Sequence, residues 1–318
     1  MKKPLLLIGA VMAFTLAHAQ PAGGAQHVTI VVGGPPGTPG DLIARTLGEP
    51  LARELGRPVV VENRPGAAGT LAMSAVSRSA PGGSTLGIFA LQSAVAPNLV
   101  KAMPYDSARD LLAVRQVSTV TNVLVVRSDS PMRDFTTLLR DARQSRPAYA
   151  SAGMGTPSHL AAELFAQEVK LPLQHVPFNG PAAALSALIG GHVDMMFATT
   201  AAALPLIKDG KLRPVAVTAT QRLPALPGVP TLAELGHPDA SVRDWHGIVA
   251  PAGTAPERIE QLAGAIGRAL SAAGVRDRLQ AAGLEPLIDS GPGGFREFIG
   301  AESARWTGVL RRAGVTMQ

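Results

Sequence analysis

The chain has 318 residues, a formal net charge of +6, no cysteine and an aromatic content of 4%. The lack of cysteine excludes disulfides, thiol catalysis and thiolate metal sites. The scarcity of Trp and Tyr disfavours a stacking-type sugar site, and no basic run with interleaved aromatics points to a nucleic-acid partner.

The first segment reads as a cleavable signal peptide, residues 1–19. Lys2 and Lys3 form its basic start, and Leu5 to Ala17 is an apolar run shorter than the ~20 residues a bilayer span needs. Ala17-His18-Ala19 is a small-x-small cleavage site, which makes Gln20 the first mature residue and the periplasm the expected compartment. No later apolar stretch reaches spanning length.

Beyond it, β-branched runs alternate with Ala/Leu-rich helical stretches. The expected strands are Val28–Val32, Val59–Glu62, Thr85–Phe89, Val123–Val126, Ala148–Ser151, His175–Phe178, Val193–Phe197, Val215–Ala219 and Gly247–Ala250. The expected helices are Asp41–Leu55, Ala68–Ser79, Asp134–Gln144, Pro157–Val169, Pro181–Gly190, Ala201–Lys208, Pro256–Leu270 and Gly293–Arg312. Such alternation predicts an α/β architecture with largely parallel sheets. Ile43, Leu47, Leu51 and Leu55 give the first helix a buried stripe, with a kink expected at Pro50 and a stop at Gly56. Asp134 stands at an N-cap position and Pro256 at a first helical position. Phe295, Phe298, Ile299, Trp306, Val309 and Leu310 form a core-facing stripe near the C-terminus.

Two loops, each between a strand and a helix, are candidates for chemistry. They are Gly33-Gly34-Pro35-Pro36-Gly37-Thr38-Pro39-Gly40-Asp41 and Ser151-Ala152-Gly153-Met154-Gly155-Thr156-Pro157-Ser158-His159. Glycines let a ligand approach the backbone, and unpaired N–H groups at a helix start favour an anion. Taken singly, each is also consistent with an ordinary connection; neither matches a dinucleotide or P-loop pattern. Enzymatic constellations are poor. Gly153-Met154-Gly155 lacks the serine of a nucleophile elbow, and His159 and Glu163 lack a third metal ligand. No metal, cofactor or catalytic residue is therefore expected.

The segment Val59-Val60-Val61-Glu62-Asn63-Arg64-Pro65-Gly66-Ala67-Ala68-Gly69 resembles a signature of the tripartite tricarboxylate transporter receptors, also called Bug proteins. In order, so do Pro35-Pro36-Gly37, Ala80-Pro81-Gly82-Gly83-Ser84-Thr85-Leu86, Pro104-Tyr105-Asp106, Asn122-Val123-Leu124-Val125-Val126 and Gly155-Thr156-Pro157-Ser158-His159-Leu160-Ala161. His175-Val176-Pro177-Phe178, Leu204–Arg213, Leu226–Thr231 and Ala250–Thr254 continue the series, and the resemblance covers essentially the whole mature chain.

The resemblance implies a type II periplasmic-binding-protein fold, two α/β lobes with a ligand cleft between them. Lobe 1 would comprise residues 20–123 and 246–318, and lobe 2 residues 124–245, with crossings near Val123–Val126 and Trp245–Val249. It further implies a monomeric receptor that closes on a small carboxylate and delivers it to membrane permease subunits, one large and one small. The first-lobe grip would be Pro36, Gly37 and Thr38, with Ser93 added from the loop after the third strand. The second-lobe grip would be Ser151, Gly153, Gly155, Thr156 and His159, with Phe178 and Thr199 lining the cleft. The chain departs from the family pattern where Thr38-Pro39-Gly40-Asp41 replaces a Gly-Gly-Thr-Asp type sequence, where Pro97-Asn98 reverses Asn-Pro, and at Ala198, where a polar or acidic residue is common. The last departure removes an obvious partner for a ligand ammonium, so a plain mono- or dicarboxylate is expected. A sensor adjunct that presents its closed form to a signalling partner is an alternative, and an enzyme on the same scaffold a third.

Overall fold

The computed structural model describes residues 27–312, so the expected signal peptide lies outside the described residues. The elements run β1 (Val28–Val32), α1 (Pro39–Leu55), β2 (Val59–Asn63), α2 (Thr70–Ser77), β3 (Thr85–Ala90), α3 (Leu91–Val95), α4 (Ser107–Asp110) and β4 (Leu111–Arg127). They continue with α5 (Phe135–Ser145), β5 (Ala148–Ser151), α6 (Pro157–Val169), β6 (Gln174–Pro177), α7 (Pro181–Ile189), β7 (Met195–Thr199), α8 (Thr200–Lys208) and β8 (Leu212–Val217). The chain ends in β9 (Arg243–Pro251), α9 (Pro256–Ser271), α10 (Ala273–Ala281), β10 (Leu284–Pro286) and α11 (Pro292–Arg312).

β1 pairs in parallel with β2 and β3, and β3 pairs antiparallel with β9. Both faces of β1 are covered, as a parallel sheet requires. Val28, Ile30 and Val32 meet Ile43, Leu47 and Leu51 of α1, while Val31 meets Ala72, Met73 and Val76 of α2. α1 runs continuously through Pro50 and stops at Gly56, whose φ of 62° is the left-handed value of a helix-ending glycine. Asp134 caps α5 by accepting the Thr137 N–H, and Pro256 opens α9.

β4 joins two sheets. From Leu111 to Thr121 it pairs with β9, and over Ser118, Thr119 and Val120 with β10. From Asn122 on it pairs with β7 and β8, beyond which β7 continues in parallel with β5 and β5 with β6. The chain thus crosses inside one long strand, not inside the short one expected at Val123–Val126. Arg115, Gln116, Ser118, Thr119, Thr121 and Asn122 obscure its β pattern, and pairing with β9 overrides that local signal. The expected boundaries at 123/124 and 245/246 fall within β4 and β9.

α2 starts at Thr70, later than the expected Ala68, because Ala67, Ala68 and Gly69 all have positive φ (46°, 53° and 81°) and cannot continue a right-handed helix. The apolar face of α11 packs across the junction of the sheets. Phe295, Trp306, Val309 and Leu310 are buried there beside Phe89 and Trp245 of β3 and β9 and Phe165 and Phe197 of α6 and β7. The indole N–H groups of Trp245 and Trp306 both donate to Glu302 Oε2, at 3.0 and 3.1 Å. No helix among the described residues is long and apolar enough to cross a membrane.

Candidate functional site

The two glycine loops have the same construction. In the first, Gly37 has φ +84° and its N–H donates to Asp41 Oδ2 at 3.0 Å. Thr38 is extended (φ −73°, ψ 159°), and both its N–H and its hydroxyl donate to Pro35 O, at 3.3 and 2.8 Å. In the second, Gly155 has φ +71° and its N–H donates to His159 Nδ1 at 3.2 Å. Thr156 is extended (φ −72°, ψ 157°), and its N–H and hydroxyl donate to Gly153 O at 3.3 and 2.6 Å.

In both, the threonine hydroxyl is turned to the loop and leaves the helix N-terminus uncapped. The first backbone bonds back into the helices are Leu42 N–H to Thr38 O and Leu160 N–H to Thr156 O. The N–H groups of residues 40, 41, 158 and 159 precede them, at the positive end of the helix dipole. Pro39 and Pro157 fix the backbone of each first turn.

Each loop is braced from behind. Asp41 Oδ1 accepts from Arg45 Nε and Asn63 Nδ2, both at 2.9 Å. Asn63 Nδ2 also donates to Gly34 O at 3.0 Å, so the Glu62-Asn63-Arg64 segment serves to hold the first loop. Burial alone would raise the Asp41 carboxyl; the hydrogen bonds from Arg45, the Gly37 N–H and Asn63 outweigh it and hold it below its ordinary value. In the second loop His159 stacks on His175, ring centroids 4.3 Å apart, and His175 stacks on Tyr149 at 4.8 Å. Burial lowers His159 to about 3 and His175 to about 4, so both rings are neutral near pH 7. Acceptance at His159 Nδ1 then places its proton on Nε2.

Both loops open onto one cavity of about 540 Å³, walled by Thr38, Pro39 and Gly40 on one side and Thr156, Pro157 and Ser158 on the other. Of the expected site residues, Thr38, Ser93, Gly153, Thr156 and Thr199 line it. Pro36, Gly37, Ser151, Gly155, His159 and Phe178 do not. Gly37, Gly155 and His159 shape the loops. Ser151 is wholly buried, with its hydroxyl 2.6 Å from His175 Nε2 and accepting the Gly153 N–H at 3.2 Å. A Ser–His contact is half of a nucleophilic pair, but Ser151 does not reach the cavity, and the contact braces the loop. Among the described residues no group of three or more His, Asp or Glu could hold a metal ion.

Asn122, Asp244 and His246 line the cavity floor and were absent from the expected set. Asp244 and His246 alternate with Trp245 on β9, so they share the face opposite the buried indole. Starting that strand at Gly247 hid them. Reading Arg243-Asp244-Trp245-His246 as strand would have exposed two polar residues on one face. Among the described residues no Lys or Arg lines the cavity.

Comparison with known proteins shows the family of the chain. Residues 43–315 match the family described as Tripartite tricarboxylate transporter family receptor. The chain belongs to this family. Among solved structures it is similar to the periplasmic binding protein BugD, with 30% identity, a TM-score of 0.82 and coverage of 92% of this chain and 98% of that one. MatC (Rpa3494) from Rhodopseudomonas palustris, with bound malate, is 32% identical with a TM-score of 0.80, covering 89% of this chain and 98% of that one. Rpa4515 of R. palustris, with adipate, is 32% identical with a TM-score of 0.81, covering 92% and 98%. The fold of this family receptor is the type II periplasmic-binding-protein fold, with two α/β lobes and a cleft between them.

Proposed function

We propose that this receptor works in the periplasm, after loss of a signal peptide, as a monomer that closes its two lobes on a small carboxylate and delivers it to tripartite-type permease subunits. The observation that carries this reading is the pairing of two loops of the same build, Gly37–Asp41 and Gly155–His159, on one cavity. Each presents an uncapped helix start, so a carboxylate held between them takes backbone donors from both lobes. Such a ligand stabilises the closed arrangement because it meets both sets of donors only there. Thr38, Thr156, Ser93 and Thr199 add hydroxyls to the wall. Lobe 1 would be the part before the Thr121–Asn122 step in β4 together with β9 to α11, which pair and pack with it, and lobe 2 the part between. Malate and adipate are bound by similar proteins, which supports a small carboxylate as the ligand class.

The test is thermal unfolding of refolded mature protein against a carboxylate panel. A ligand present at about 100 times its dissociation constant adds about 2.7 kcal/mol, a clear rise in Tm. The absence of a shift with every carboxylate would remove the reading.

A further inference from the structure

The floor of the cleft contains polar groups that the protein leaves unmatched. Asn122 sits where β4 passes from one sheet to the other. Its backbone is fixed by the Thr218 side chain and N–H, at 3.0 and 2.9 Å. Its side chain is fully buried, and among the described residues neither Oδ1 nor Nδ2 has a hydrogen-bond partner. Asp244 is 4% exposed; its Oδ1 accepts the Trp245 N–H at 2.8 Å, and its Oδ2 stands 4.0 Å from His246 Nε2. His246 is 5% exposed and its Nδ1 has no partner among the described residues. All three residues line the cavity. Buried polar groups in folded proteins are almost always matched, so an unmatched set at a cavity wall points to a group brought in by the ligand.

The charge of the missing group follows from the rest of the lining. Among the described residues Asp244 is the sole acidic side chain there, with no Lys or Arg to balance it. Burial pushes its carboxyl up to about 7, as expected of an acid without a nearby cation. A second ligand carboxylate at this floor would meet like charge or need Asp244 protonated. An ammonium supplies both what Asp244 lacks in charge and the N–H donors that Asp244 Oδ2 and Asn122 Oδ1 can accept.

We propose that Asp244 and Asn122 form an ammonium subsite, so that the captured molecule is an amino acid or a related aminocarboxylate. The proposal rests on the carboxylate reading above and narrows it. It reverses the expectation drawn from Ala198, because the acidic group comes from β9 and not from the end of β7.

The test uses matched pairs that differ by one amino group: propionate and alanine, succinate and aspartate, glutarate and glutamate, 3-phenylpropionate and phenylalanine. Calorimetric titration of refolded wild-type protein is expected to show, in the tightest pair, the amino member binding at least about tenfold tighter. Asp244→Asn should bring that ratio within about threefold, with circular dichroism confirming the fold. The wild-type ratio decides the matter even where the variant does not fold. A deaminated member that binds as tightly or more tightly overturns the ammonium subsite while leaving the carboxylate reading intact; so does an Asp244→Asn protein that keeps the tenfold preference. If no member of any pair binds, the ammonium subsite falls, and the carboxylate reading is decided separately by the thermal panel above.

Discussion

Asp41 and His159 occupy the same place in two separate loops: each lies four residues beyond a positive-φ glycine and accepts that glycine's N–H. The chemistry of the acceptors differs. Asp41 is an anion gripped by Arg45 and Asn63, whereas His159 is a neutral ring packed on another neutral ring. One jaw is braced electrostatically and the other by stacking, yet both present the same Thr-Pro helix start to the cleft.

Removing either acceptor should loosen one jaw. Asp41→Ala strands the Gly37 N–H and frees Asn63, and is expected to cost about 2 to 3 kcal/mol in urea unfolding. The ion pair contributes little of this, because Arg45 is half exposed. Asp41→Asn keeps an acceptor and should recover part of the loss. A change below about 0.5 kcal/mol for Asp41→Ala would show that the loop holds itself.

The two loop glycines should differ in their response to alanine. At both, a Cβ meets the same backbone penalty of roughly 1 kcal/mol for positive φ. At Gly37 nothing lies within 4 Å of the added carbon, whereas at Gly155 it would come within 2.3 Å of Leu99 Cδ1. Leu99 follows α3, so the clash would push the end of α3 away from the Gly155 loop. Gly155→Ala is expected to lower Tm more than Gly37→Ala and to weaken carboxylate binding more. Equal effects in both measurements would count against the Leu99 contact.

Parts of this arrangement were legible in the residues alone. The glycine loops stood out because Gly and Pro at a strand–helix junction signal close backbone approach, and the first helix because its apolar stripe repeats every four residues. The Asp134 cap and the α11 stripe were equally plain. The floor of the cleft was not. Asn122 looks like one more residue before a Val-rich run, and its importance comes from β4 leaving one sheet for another at that point. Asp244 and His246 sit in a strand whose polar face disguises it as loop. Ser151 and His159 read as ligand contacts from position, whereas burial turns them inward to support the loop.

Acid should loosen the second jaw. His159 and His175 are held at about 3 and about 4 when folded, below the ordinary 6.5. The unfolded chain therefore binds more protons than the folded one across that interval. The stability these rings contribute is present in full above pH 6.5 and is lost as pH falls toward 4, approaching 1.4 kcal/mol per unit for each ring. Asp244 acts in the opposite sense. Its folded value of about 7 lies above 3.8, so its contribution is present at low pH and fades as pH rises through 7. In urea titrations between pH 4.5 and 6.5, wild-type stability should rise with pH. His175→Gln should reduce that slope by about one proton's worth. An unchanged slope would mean that His175 titrates alike in both states.

Asn122 should show a trade between stability and binding. Its two side-chain polar atoms are buried and unmatched among the described residues, so the folded protein bears their desolvation with no return. Leucine has the same branched shape without the polar atoms, and the cavity beside residue 122 leaves room for its slightly greater bulk. Asn122→Leu is expected to raise stability by about 1 to 2 kcal/mol, measured by urea unfolding. In the same protein the amino member of the best-bound pair should bind at least about tenfold more weakly, because an acceptor for its N–H is gone. Natural sites commonly keep such destabilising groups where function needs them. A variant that is less stable and binds as tightly as wild type would place Asn122 among the structural residues of the crossing strand and take it out of the ammonium subsite.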